Sequence, residues 1–127
     1  MKTILVDAVY CFVSEEGKIF EEMYDMLEEF PNKKIILTNA GKERYKQYGL
    51  DKVPYEVFTL EHNPEKTDPK YYELMLKHFN LDKGDVLYFE NKLEAVKSAE
   101  VMGIKSYHYD PQKRDLESLK KFLKANL

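Results

Sequence analysis

Thr3-Ile4-Leu5-Val6-Asp7 is a short, unbroken apolar run that closes on a carboxylate. Its β-branched residues favour extended chain, and it is too short to be read as a helix. The pattern recurs at Lys34-Ile35-Ile36-Leu37-Thr38 and again at Val86-Leu87-Tyr88-Phe89-Glu90. Each run reads as a buried strand. In an open parallel sheet, side chains at the strand C-termini converge on one crevice. Asp7, Thr38 and Glu90 are therefore expected to meet there, joined by Lys66 from the loop before Asp68-Pro69. A carboxylate, a hydroxyl, an amine and a second carboxylate suit attack by a carboxylate on a phosphoryl group.

Strand and helix patterns alternate along the chain, which argues for α/β with a mainly parallel five-stranded sheet in a three-layer, Rossmann-like arrangement. Val9 to Ile19 reads as a small hairpin turning at Ser14-Glu15-Glu16-Gly17-Lys18. A helix is expected from Ile19 and Phe20 through Met23 and Leu27 to Phe30, ended by Pro31-Asn32. Asn39-Ala40-Gly41 opens a short helix carrying Tyr45 and Tyr48, and Val57 to Leu60 reads as a third strand. Asp68 is placed to cap a helix whose first residue is Pro69 and whose apolar face is Tyr72, Met75, Leu76 and Phe79. After the fourth strand comes a helix with Leu93, Val96, Ala99 and Met102, stopped by Gly103. Ile104 to Tyr109 reads as a fifth strand, and Leu116, Leu119, Phe122 and Leu123 mark a last amphipathic helix.

The chain has 127 residues, the size of one domain with one core, so residues 1–127 are expected to form a single unit. A net charge of −3 gives no bulk attraction to nucleic acid or to an anionic membrane, and neither is expected as a partner. The acidic stretch from Glu15 to Glu29 and the basic tail from Lys113 to Lys124 read as solvated helix faces. One cysteine, Cys11, excludes an internal disulfide and suits a reducing compartment. Asp7 interrupts the only apolar stretch near the start, and no run approaches membrane-spanning length; a cytoplasmic protein is the expectation.

The order Asp7, Thr38, Lys66, Glu90, with Ile36-Leu37-Thr38-Asn39-Ala40-Gly41 and Lys66-Thr67-Asp68-Pro69 around it, resembles the haloacid dehalogenase superfamily, most of whose members are phosphatases. The resemblance runs from the first strand to about Tyr109. It implies that Asp7 is the nucleophile, that Thr38 with Asn39 and Lys66 binds the phosphoryl group, and that Lys66 also holds Asp7. It further implies a magnesium ion on Asp7, the backbone carbonyl of Val9, Glu90 and Asn91. Two positions depart from the family pattern. Val9 stands where a second Asp normally serves as general acid and base, and Glu90-Asn91 stands where a pair of acids normally helps to bind the metal. Weak magnesium binding and reduced phosphatase activity follow as expectations. The position usually held by Thr is Cys11, read as a buried small side chain.

The intervals between Asp7, Thr38 and Lys66 leave no room for a cap domain, so a capless member is expected, of the kind that acts on large phosphorylated substrates. The dehalogenases proper also lack the second Asp, and their first motif often reads Asp-Ala-Tyr where this chain has Asp7-Ala8-Val9. They carry a helical cap that this chain cannot accommodate. A phosphorylation receiver domain would need its acceptor after the third strand, where Thr59-Leu60-Glu61 offers no match. His62, His78 and His108 are dispersed and form no zinc pattern. The alternative reading is a non-catalytic protein on the same fold, with a phosphorylated or protein partner that the sequence does not name.

Overall fold

A computed structural model describes all residues from Met1 to Leu127. Five strands, β1 (Thr3–Asp7), β2 (Lys34–Thr38), β3 (Glu56–Thr59), β4 (Val86–Glu90) and β5 (Lys105–His108), form one sheet in the order β3-β2-β1-β4-β5. Every pairing is parallel. The register sets Asp7 beside Leu37, Val6 beside Phe89 and Thr38 beside Thr59, so the ends of β1, β2 and β4 lie at one edge of the sheet. The strand order reverses at β1, and a crevice opens there.

Side chains alternate between the two faces of each strand, and helices cover both. On one face Ile4, Val6, Ile36, Leu87 and Phe89 pack with Met23 and Leu27 of α1 (Glu21–Leu27) and with Leu119 and Leu123 of α5 (Leu116–Asn126). On the other, Leu5, Ile35, Leu37 and Tyr88 pack against Tyr72 and Met75 of α3 (Pro69–Phe79) and Ala99 of α4 (Leu93–Val101). α2 (Lys42–Gln47) is short and has no buried residue. No helix is long and apolar enough to cross a membrane.

Two helix ends follow the chemistry read from the sequence. The Asp68 carboxylate accepts from the Lys70 N–H at 2.9 Å, with Pro69 in the first turn. Gly103 ends α4 at φ +84, a conformation that L residues with a Cβ rarely adopt. Other boundaries differ. α1 begins only at Glu21 because Ile19 bridges Val13 and Phe20 is the N-cap, and Phe30 lies beyond its end. Tyr48 is the C-cap of α2. β3 starts one residue before Val57 and stops before Leu60, and β5 lacks Ile104 and Tyr109 at its ends.

The stretch between β1 and α1 is a compact flap rather than a regular hairpin, with isolated bridges Val9–Val13 and Val13–Ile19. It is fastened to the end of α2 by a close backbone approach. A Cβ on Gly17 would stand 2.8 Å from the Gln47 carbonyl oxygen, and one on Gly49 would stand 2.9 Å from the Gly17 oxygen. The Gln47 side-chain amide also donates to the Glu15 carbonyl. Flap and α2 together make one wall of the crevice.

Candidate active site

Asp7 is the last residue of a strand buried along its whole length, so its carboxylate is delivered to the crevice floor with little exposure. Lys66 reaches it from the loop before α3. The Lys66 Nζ donates to Asp7 Oδ1 at 2.7 Å, to Glu90 Oε1 at 2.7 Å and to the Leu37 carbonyl at 3.2 Å. An ammonium has three hydrogens, and all three are committed. The loop is held in turn by Asn39, whose Oδ1 accepts from the Lys66 N–H at 2.8 Å.

Glu90 is gripped on both oxygens. Oε1 also accepts from the Tyr88 hydroxyl at 2.5 Å, and Oε2 accepts from the Lys92 N–H at 3.0 Å. Asn91 donates its backbone N–H to Asp7 Oδ2 at 3.2 Å. Its side-chain amide points its nitrogen at the same two carboxylates, the orientation that its neighbours require. That nitrogen donates to Glu90 Oε2 at 2.9 Å and to Asp7 Oδ2. The Cys11 thiol donates to Asp7 Oδ2 at 3.3 Å and is buried. No buried side-chain polar atom of the protein lacks a partner.

Thr38 closes β2 as Asp7 closes β1. Its hydroxyl accepts from the Ala40 N–H at 3.2 Å, which leaves the hydroxyl proton free for a ligand oxygen. Tyr71 fixes this strand end from below. Its hydroxyl accepts from the Thr38 N–H at 3.1 Å and lies 2.8 Å from the Thr38 carbonyl and 3.1 Å from that of Phe58. Tyr71 thus ties the ends of β2 and β3 together. Removing that hydroxyl strands buried backbone groups, so Tyr71→Phe is expected to lose about 1–3 kcal/mol in urea unfolding. A loss under about 0.5 kcal/mol would show that the hydroxyl is replaceable by water.

Above this floor lies an open cleft of about 900 Å³. Asp7, Thr38, Lys66 and Glu90 form its base, Val9 and Asn39 its sides, and Tyr10, Arg44, Tyr48, His62 and Lys92 its rim. Val9 is only half-buried and places a hydrocarbon beside Asp7, where nothing on it can carry a proton. Tyr88 does not fill the cleft; it is fully buried beneath Glu90.

Two carboxylates and one ammonium share this buried space. Burial, and then the neighbouring Glu90 charge, push the Asp7 carboxyl up to about 8, and Lys66 offsets this only in part. Burial also works against the Glu90 charge, but Lys66 and the hydrogen bonds on Glu90 outweigh it and hold that carboxyl below its usual range. Burial opposes the Lys66 charge too, yet its two carboxylate partners prevail and keep the ammonium charged well above its usual range. Burial and Asp7 raise Cys11, so its thiol stays protonated and acts as a donor.

The structure brings Asp7, Thr38, Asn39, Lys66, Glu90 and Asn91 together, with Val9 at their edge. Sequence reasoning did not anticipate the hydroxyls of Tyr71 and Tyr88 or the thiol bond from Cys11. Tyr88 carried one signal: a phenol within an otherwise aliphatic and phenylalanine-lined central strand needs a buried partner.

No protein-family model matches the sequence, and no curated protein matches it. Solved structures do. An uncharacterized protein from Corynebacterium glutamicum is similar over 94% of this chain and 92% of its own, with 14% identity and a TM-score of 0.68. A HAD-family enzyme from Bacteroides thetaiotaomicron, an aspartate-to-alanine mutant in complex with magnesium and inorganic phosphate, is similar over 85% of this chain and 93% of its own, with 12% identity and a TM-score of 0.69. A conserved haloacid dehalogenase-like protein of unknown function from Agrobacterium tumefaciens matches 71% of this chain and 44% of its own at 17% identity and a TM-score of 0.60. The chain has the haloacid dehalogenase-like fold, with a five-stranded parallel sheet.

Proposed function

We propose that the protein is a phosphatase-like hydrolase that takes a phosphorylated substrate at the cleft floor and transfers the phosphoryl group to Asp7. One observation carries this reading. Lys66 is 2.7 Å from both Asp7 and Glu90 at the base of an open cleft that Thr38 and Asn39 also line. A phosphate oxygen entering there meets the Thr38 hydroxyl and the Asn39 NH₂, and the Lys66 charge beside Asp7 lowers the repulsion between carboxylate and phosphate. Lys66 acts as a charge rather than as a ligand clamp, because its hydrogens are already used.

In the first step an Asp7 oxygen bonds to phosphorus as the bond to the leaving oxygen breaks. The leaving group takes its proton from water, since Val9 has none to give. In the second step water attacks phosphorus, the bond to Asp7 breaks, and inorganic phosphate leaves. Lack of a general acid and base costs about 10²–10⁴-fold in rate, least for an aryl phosphate, whose leaving group needs little help. One similar solved enzyme is a complex with magnesium and inorganic phosphate, whereas here the charge beside Asp7 is that of Lys66.

The test is aryl phosphate turnover by wild type and Asp7→Asn across pH. Wild-type turnover should rise with pH and level off above about 8, because the ionised carboxyl attacks and burial delays its ionisation to that range. Asp7→Asn should fall to background at every pH. Equal turnover in both proteins would refute the assignment of Asp7. The non-catalytic reading has one observation in its favour: both Asp7 oxygens are already engaged by protein donors. It predicts phosphate binding without turnover in either protein.

A further inference from the structure

We infer that this site works without a resident divalent cation, the Lys66 ammonium and the Asn91 side-chain NH₂ together standing where a cation would bridge Asp7 and Glu90. The inference concerns the phosphate site proposed above but does not depend on turnover there.

Magnesium needs near-octahedral oxygen coordination and favours anionic ligands. The two carboxylates, the Val9 carbonyl and the Asn91 side chain are the groups on hand. A carboxylate offers about four lone-pair directions. On Glu90 all are taken: Lys66 Nζ at 2.7 Å and Tyr88 hydroxyl at 2.5 Å on Oε1, Lys92 N–H at 3.0 Å and Asn91 NH₂ at 2.9 Å on Oε2. On Asp7, Oδ2 is met by the Asn91 backbone and side chain and by the Cys11 thiol, and Oδ1 by Lys66. Oriented by these acceptors, Asn91 turns hydrogens rather than its carbonyl oxygen to this space. What remains is one lone pair on Asp7 Oδ1, an oxygen already held by the Lys66 ammonium at 2.7 Å, and the Val9 carbonyl. A cation would have to displace donors that include a fully buried tyrosine. No group of three or more His, Cys, Asp or Glu side chains in the protein is placed to hold a metal.

Asn91 is the informative position. As Asn it donates to both carboxylates; as Asp it would turn the bridge into a third anionic oxygen donor. The experiment titrates magnesium chloride into wild type and Asn91→Asp, by calorimetry and by thermal unfolding. Wild type should give no saturating heat and no rise in melting temperature up to about 10 mM. Asn91→Asp should bind magnesium and be stabilised by it; a site filled to a hundred times its Kd would raise Tm by roughly 10 °C in a chain of this size. Tyr88→Phe, which frees one Glu90 lone pair, is the second variant and should gain a smaller response. Saturating binding to wild type overturns the inference, as does failure of every folded variant to gain magnesium affinity. Wild type that binds magnesium but turns over no phosphate ester overturns this inference as well as the phosphatase reading. Wild type that neither binds magnesium nor turns over ester overturns the phosphatase reading alone.

Discussion

Lys66→Met should lower stability by about 3–5 kcal/mol, the usual cost of removing one partner from a buried ion pair. Methionine fills similar volume, so the loss is electrostatic rather than a cavity. Asp7 and Glu90 would face each other with no cation between them, both almost fully buried. In thermal unfolding this is a fall of about 10–20 °C. The pH dependence gives the sign a second check. In wild type Glu90 is held below its usual range, so its contribution is present above about pH 4 and is lost as pH falls further. Asp7, raised to about 8, takes stability away as pH climbs from about 4 toward 8 and leaves Glu90 to separate the two proteins. In Lys66→Met the unpaired carboxyls would be raised by burial, so that variant is most stable in acid and weakens as pH rises. The two stability curves should therefore converge in acid and separate toward neutral pH. The triple variant Asp7→Asn, Glu90→Gln, Lys66→Met should recover much of the loss, because neutral groups need no counter-charge. A Lys66→Met protein within about 3 °C of wild type at neutral pH would mean that water already screens the pair.

The sheet was legible where burial is two-sided. β1, β2 and β4 are central strands whose residues are all buried, and such strands read as unbroken apolar runs. The edge strands were blurred. β3 and β5 have exposed ends, Glu56 in one and Lys105 and His108 in the other, so hydrophobicity does not mark where pairing begins and stops. The flap shows a different limit. Ile19 and Phe20 sit at helical spacing with Met23, but a bridge to Val13 claims Ile19 first. Tertiary pairing overrode a local period.

In the site, the strand-end residues were legible because a strand end fixes its last side chain. Asp7, Thr38 and Glu90 needed only the order of the runs. Lys66 lies on a loop, where no strand end fixes its side chain, and the resemblance to a known family is what gave it a role. The supporting donors were not legible, because they come from far along the chain and depend on which hydrogen points where. Asn91 is the clearest case. Its identity alone permits a carbonyl ligand to a metal, and only the surrounding acceptors turn its nitrogen inward.

Val9→Asp should raise aryl phosphate turnover by about 10²–10⁴-fold if the phosphatase reading holds. Val9 is half-buried on the wall of the cleft beside Asp7, so an Asp there keeps water on one side and need not be paired to be tolerated. Its carboxyl would protonate the leaving oxygen in the first step and then take a proton from the attacking water in the second. The gain should be larger for alkyl than for aryl phosphates, because a poor leaving group depends more on the acid. It should also shorten the life of a phosphorylated Asp7, seen as less label retained after acid quench with a labelled donor. The double variant Asp7→Asn, Val9→Asp should stay at background, which separates restored catalysis from new chemistry by the added acid. A folded Val9→Asp protein with wild-type turnover would mean that the missing acid is not what limits this site. The engagement of both Asp7 oxygens by Lys66, Asn91 and Cys11 would then be the stronger barrier, and the non-catalytic reading would be the better one.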